Sequence, residues 1–258
     1  MNGTTPKIRI RGLRKSFGNK PVLDGVDLDV AAGEGMVILG GSGSGKSVTI
    51  KCVLGLIRPD AGTIEIDGQD VLHMPRRERE ALLDRTGMLF QNAALFDSLP
   101  VWENVCFKLL AQKRIARAKA RDKAAEVLAQ VGLAASVGDL YPAELSGGMQ
   151  KRVGLARAIA AEPDIIFFDE PTTGLDPIMG AVIDGLIVDV VKRLGATAIS
   201  ITHDMASARR IGQTAAMIHK GRIVWTGPAA TLGETGNAMV DQFARGEREG
   251  PIHMELRR

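Results

Sequence analysis

Apolar residues first recur at every second position. Lys7–Leu13 and Val26–Val30 alternate apolar and polar side chains, so each reads as a half-buried strand. Met36–Leu39 is a short continuous apolar run that ends in glycines, and helical spacing follows over Val48–Leu56. The order is strand, glycine loop, helix. Thr63–Ile66 before Asp67-Gly68 predicts another strand and turn, and the chain from Asn92 to Ala161 reads as mostly helical. Continuous apolar runs return at Ile165–Phe168 and Ala198–Ile201, the pattern of parallel strands covered on both faces. A last strand pair is predicted at Ala215–His219 and Arg222–Trp225, joined by Lys220-Gly221. After Pro228 the pattern weakens into a short helix and a polar tail.

Composition narrows the classes. The 258 residues are 45% hydrophobic and 24% charged, ordinary globular values for a chain long enough to bury a full core. A net charge of +3 is too small to argue for nucleic acid. The basic stretch Lys113–Lys123 has no interleaved aromatics for base stacking, so it reads as a solvated helix face and no nucleic-acid partner is expected. Cys52 and Cys106 lie in no metal or CxxC pattern and read as reduced thiols of a cytosolic protein. The start, MNGTTPKIRIRG, has no apolar stretch behind its charges. No apolar run approaches the roughly 20 residues of a membrane span. The most apolar helical stretch, Val182–Val191, is broken by Asp184 and Asp189. The expectation is a soluble chain, brought to a membrane only by a partner.

The glycine loop carries the first chemistry. Gly40-Gly41-Ser42-Gly43-Ser44-Gly45-Lys46-Ser47 fits the phosphate-binding pattern G-x-x-x-x-G-K-[ST], between a predicted strand and a helix that takes in Val48. Glycines let successive backbone N–H groups turn toward phosphate oxygens, and the helix start adds its positive dipole end. Lys46 adds a full charge, and Ser47 a hydroxyl for Mg²⁺. The apolar run Ile165–Phe168 ends in Asp169-Glu170. Asp169 is placed to orient Mg²⁺, and Glu170, one residue on, to polarise an attacking water.

Leu145-Ser146-Gly147-Gly148-Met149-Gln150, followed by Lys151-Arg152-Val-Gly-Leu-Ala-Arg157, resembles the signature of ABC (ATP-binding cassette) ATPases, with Met where the family has its glutamine. Further residues match in family order. Phe17 resembles the aromatic residue that stacks on adenine. Gln91 resembles the Q-loop glutamine that senses Mg²⁺ and the attacking water. Asp176 ends a D-loop-like Thr173-Gly-Leu-Asp, and His203 follows Ile199–Thr202 as the switch histidine does. The resemblance covers about residues 7–228. It implies ATP and Mg²⁺ as ligands, with Ser47, Gln91 and Asp169 at the metal and Lys46, Gln91, Glu170 and His203 in hydrolysis. It also implies a head-to-tail pair of chains, because Ser146, Gly147 and Gly148 of one copy close on the nucleotide held by the other.

The implied fold is α/β. It has a RecA-like P-loop NTPase core over 1–91 and 161–228, with an N-terminal antiparallel β subdomain. An α-helical subdomain is inserted at 92–160, and a C-terminal helix and tail over 229–258 is a candidate bridge to the second subunit.

Gln91-Asn-Ala-Ala-Leu-Phe96-Asp-Ser-Leu-Pro-Val-Trp102-Glu-Asn-Val105 and Gln242-Phe-Ala-Arg-Gly-Glu-Arg-Glu-Gly-Pro-Ile252 are similar to the ATPase subunits of Mla-type lipid transporters. That resemblance implies an integral permease, an MCE-type substrate-binding protein and, in some systems, a STAS-domain subunit. The chain would sit at the cytoplasmic face of the inner membrane and power phospholipid transport between bacterial membranes. The alternatives are another importer, such as one for amino acids, or a soluble ATPase of iron–sulfur assembly. Leu95, Phe96 and Trp102 fall where the family receives the permease. Trp102 reads equally as a helical-core residue. The stretch Gly246–Arg258 is too polar to make its own core.

Overall fold

The computed structural model describes residues 5–252. The chain opens with β1 (Ile8–Phe17), β2 (Lys20–Val30), β3 (Gly35–Leu39), α1 (Lys46–Val53), β4 (Ala61–Ile66) and β5 (Gln69–Asp70). Next come α2 (Arg76–Leu83), β6 (Thr86–Leu89), α3 (Val101–Ala111), α4 (Arg117–Gln130), α5 (Gly147–Ile159), β7 (Ile165–Asp169), α6 (Pro177–Leu194) and β8 (Thr197–Ile201). The last elements are α7 (Met205–Ile211), β9 (Thr214–His219), β10 (Arg222–Pro228) and α8 (Ala238–Arg245). Contacts divide the chain into two units. The first runs to His73 and resumes at Ile201, and the second is Met74–Ser200.

In the first unit β2, β1, β4 and β5 form an antiparallel sheet in that order. The alternation read in the sequence sets its register. Ile8 faces Val30 and Ile66 across its two neighbours, and Ile10 faces Leu28 and Ile64. All six are buried, each contributing about 1.5–3 kcal/mol. In the same unit β3 pairs parallel with β9, and β9 antiparallel with β10. Every residue of β3 is buried. Val37, Leu39, Ala208, Met217, Leu232 and Val240 make a core there, against which Phe243 and Ile252 pack.

The second unit holds β8, β7 and β6 side by side, with β6 parallel to β7. Its helices follow local rules. Asp176 caps α6, Pro177 opens it, and Gly195 ends it in the left-handed region. On α4, Ala120, Ala124, Val127 and Leu128 are buried at helical spacing.

One reading is corrected, one element is added and one open alternative is decided. Helix α1 covers Lys46–Val53 rather than starting at Val48 and running to Leu56. Helix α2 was invisible because RREREALL offers almost no apolar face. Trp102 is 6% exposed and belongs to the core. The basic stretch is a solvated face, with Arg117 and Arg121 exposed, and from it their guanidinium groups lie 5.0 and 5.4 Å from the Trp102 ring centroid. Residues 247–252 fold onto their own α8, where the Gln242 side chain donates to the Glu247 and Ile252 carbonyls and accepts from the Ile252 N–H at 2.7 Å. Both cysteines are free and buried, and burial pushes each thiol up to about 11.

Asn104 is fully buried on α3. It accepts from Phe96 N–H at 2.8 Å and donates to the carbonyls of Phe96, Leu99 and Pro100. One side chain thus shapes the loop before α3. Asn104→Leu is expected to lower stability by about 2–3 kcal/mol, because several backbone groups lose their partner at once. Urea unfolding monitored by circular dichroism measures this.

Candidate functional site

Two clusters of chemistry-bearing residues emerge, one in each unit. The first lies where β3 ends and α1 begins. Gly40, Gly43 and Gly45 have φ of 151°, 73° and 111°. A Cβ on Gly40 would stand 2.3 Å from the Ile218 carbonyl oxygen, and one on Gly45 2.6 Å from Leu23 Cδ2. Glycine is therefore required at both positions, by backbone angle and by space. The loop is buttressed from behind. Gly221 N–H donates to the Ser44 carbonyl at 3.2 Å, and the Gly221 carbonyl accepts from Asp24 N–H at 2.8 Å.

Lys46 is buried and donates to the Gly40 and Gly41 carbonyls at 2.7 and 3.0 Å. Its charge is held over the loop's own backbone. The Ser44 hydroxyl is buried without a hydrogen-bond partner. The first turn of α1 contains no acidic residue, which leaves its own sequence favourable to an anion. An orphaned hydroxyl, a loop that only glycine can close and a helix start without acids all fit a polyphosphate. Ser47 and Val48 lie in the first turn of α1, both half-buried. A cavity of about 200 Å³ borders the loop, lined by Gly41–Ser44, Met217, His219, Lys220, Phe243 and Ile252. Burial and the neighbouring Lys220 hold His219 below the usual imidazole range.

In the same unit Phe17 ends β1 half-exposed, with Lys15 Nζ 5.6 Å from its ring centroid. His203 is exposed between β8 and α7. Asp204 beside it caps α7, accepting from the N–H groups of Ala206 and Ser207 at 2.8 and 3.2 Å.

The second cluster gathers around the end of β7. Ile165–Phe168 are buried, and Asp169 and Glu170 emerge half-buried. Glu170 has φ 51°, a left-handed conformation rare for a residue with a side chain. Thr173 holds this turn, since its N–H donates to the Glu170 carbonyl at 3.3 Å and its hydroxyl to Glu170 Oε2 at 3.0 Å. Gln91 is exposed just beyond β6. Its carbonyl accepts from Lys151 Nζ, which also reaches the Glu170 carbonyl at 3.4 Å. Burial pushes the Lys151 ammonium below its usual range, opposed by the charges of Glu170 and Asp169.

The signature residues open α5. Ser146 caps it, accepting from Met149 N–H at 3.3 Å, and its first turn also lacks acids. A Cβ on Gly148 would meet Met179 Sδ at 3.1 Å, whereas Gly147 has open space. Asp176 accepts from the N–H groups of Ile178 and Met179, both at 3.0 Å, so within its own chain it serves as a helix cap. The structure thus brings Gln91, Glu170 and the signature helix into one cluster. Lys151 and Thr173 fall inside sequence motifs, but nothing in the sequence shows what their side chains hold.

Residues 23–173 match the family model described as ABC transporter. The chain is 41% identical over 249 residues to the probable ribonucleotide transport ATP-binding protein mkl of Mycobacterium leprae, covering 96% of this chain and 71% of that protein. It is 36% identical over 248 residues to the intermembrane phospholipid transport system ATP-binding protein MlaF of Haemophilus influenzae, covering 96% and 94%. Among solved structures, a dimeric ATP-binding cassette in a post-hydrolysis state with ADP and Pi superposes with a TM-score of 0.78 at 30% identity, covering 86% of this chain and 98% of that one. The chain belongs to the ABC transporter family, as an ATP-binding, ATP-hydrolysing subunit with the RecA-like ABC fold.

Gly40→Ala tests the cradle. The added methyl is expected to weaken ATP binding by about five- to 150-fold, since the strain costs about 1–3 kcal/mol. Isothermal titration calorimetry with ATP reads this directly.

Proposed function

We propose that this chain is the ATPase subunit of a transporter for phospholipid or another hydrophobic lipid, working as a head-to-tail pair. The observation that carries the chemistry is the cradle of residues 40–47 with Lys46 held over it. The cargo reading is supported by similarity to the MlaF protein along nearly the whole of both chains. The mkl protein carries a different transport name at comparable identity. In this reading the partner subunits, not this chain, select the cargo.

In this reading the backbone N–H groups of Gly41–Lys46 and the Lys46 charge hold the β- and γ-phosphates. Phe17 offers its ring face to adenine. Ser47, Asp169 and Gln91 present a hydroxyl, a carboxylate and an amide, a set of hard oxygen donors that suits Mg²⁺. The bound Mg²⁺ supplies charge neutralisation for the phosphates. Glu170 accepts a proton from the attacking water, oriented by the Thr173 hydroxyl. His203 contacts the γ-phosphate. Ser146–Gly148, at the start of α5, meet the nucleotide of the second copy, and Asp176 reaches across the pair. Buried phosphate charge then finds donors from both chains, which favours the closed pair.

The reading gives residues 92–160 the role of a helical subdomain that moves with the permease. Phe96 and Phe107 are exposed and stacked, with ring centroids 4.4 Å apart. With Leu95 beside them, they form the docking surface for an integral permease. No helix of the described residues is long and apolar enough to cross a membrane. The chain is held at the cytoplasmic face of the inner membrane through that permease, with an MCE-type protein and, in some systems, a STAS-domain subunit completing the assembly. The tail, Gly246–Arg258, is the candidate bridge to the second copy, and its residues 253–258 lie outside the described residues.

Glu170→Gln is expected to bind ATP, lower turnover by about 10²–10⁴-fold and accumulate as an ATP-bound dimer in size-exclusion chromatography. Retained turnover would remove Glu170 from the chemistry. For the cargo, affinity purification of the tagged chain from membranes is expected to bring down a permease and an MCE-domain protein. Recovery of an amino-acid permease or of iron–sulfur assembly proteins would overturn the lipid reading.

A further inference from the structure

Helix α5 does more than present the signature. Lys151 lies five residues after the Ser146 cap, about 7 Å along the same rigid helix. It is 6% exposed. An ammonium is rarely buried this deeply without partners, because desolvation disfavours its charge. Here it donates to two backbone carbonyls that are far apart in sequence, those of Gln91 and Glu170.

The neighbouring residues of α5 continue the same contact. At Gly154 a Cβ would lie 2.8 Å from Leu89 Cδ1 and 3.0 Å from Ala93 Cβ, so the helix presses against the base of the Gln91 loop. Arg157 donates to the Ala93 carbonyl and, at 2.7 Å, to the Ala94 carbonyl. Ala93, Ala94 and Glu170 all have positive φ, at 55°, 48° and 51°. Side-chain-bearing residues hold that conformation only where their surroundings fix it. All three have carbonyls bonded to a cation of α5.

We infer that Lys151 is a positioning residue for ATP hydrolysis: by joining the Gln91 and Glu170 backbones to the signature helix, it fixes the orientation of the Glu170 carboxylate. The inference rests on the roles of Glu170 and Gln91 proposed above. It adds a route by which the signature's engagement with the second copy's nucleotide reaches the chain's own hydrolytic residues. When α5 shifts, Gln91 and Glu170 are carried with it.

The test compares the full chain with Lys151→Met, Lys151→Arg, Glu170→Gln and the Lys151→Met/Glu170→Gln double variant, by steady-state and single-turnover ATP hydrolysis. Lys151→Met is expected to lower kcat about ten- to a hundredfold, the effect of losing charge-assisted hydrogen bonds, with KM for ATP within about twofold. Lys151→Arg recovers most of the rate. The double variant turns over no more slowly than Glu170→Gln alone, because the lysine acts through the carboxylate. Should Lys151→Met melt below the assay temperature, Lys151→Gln takes its place with the same expectations. An unchanged kcat for the Met or Gln variant, or multiplied losses in the double variant, would overturn the positioning role. Full turnover by Glu170→Gln is a different result, which removes the underlying assignment instead.

Discussion

A nucleoside triphosphate packs several negative charges along one short chain of phosphates, and whatever binds it must supply positive groups in a row without collapsing on itself. The structure meets this constraint with backbone. Gly40, Gly43 and Gly45 take angles that only glycine adopts freely, so the loop curls instead of continuing β3. Helix α1 then starts with no acid in its first turn. Lys46 cannot drift into solvent, because the Gly40 and Gly41 carbonyls hold it above the loop. The fully buried strand β3, its pairing with β9 and the brace from Gly221 all keep this loop in place.

The same physics appears again at α5, where Ser146 caps a helix whose first turn also lacks acids. In the proposed head-to-tail pair, this end meets the phosphates held by the second copy. The shared device is the positive end of a helix whose first turn carries no acid, which favours a bound anion.

Much of this was legible in the sequence because it is local. The alternation of Lys7–Leu13 fixed a strand face, and the continuous run Ile165–Phe168 marked a covered strand ending at two acids. The phosphate loop is a contiguous pattern whose meaning depends only on its neighbours. What stayed hidden is tertiary. Trp102 looked as fit for a partner surface as for a core, and only its burial beneath Arg117 and Arg121 decides between them. Gln242 is a polar residue on a short terminal helix, and no pattern announces that it holds Ile252. Helix α2 has too few apolar residues for periodicity to show.

Lys151 and Arg157 make the general point about buried cations. On a helical wheel they read as two more basic residues in a basic protein. Burial pushes both side chains below their usual pKa range, which means that their charge is maintained against a desolvation cost. Apolar residues of similar size would avoid that cost. The offset is local: each cation bonds two carbonyls, and three of those four carbonyls belong to residues in a disfavoured backbone conformation. Charge-assisted hydrogen bonds are strong enough to hold such turns where neutral ones are weaker. A helix that carries its own cations into a strained loop is committed to that loop's shape, and motion at one end of α5 is then felt at Gln91 and Glu170.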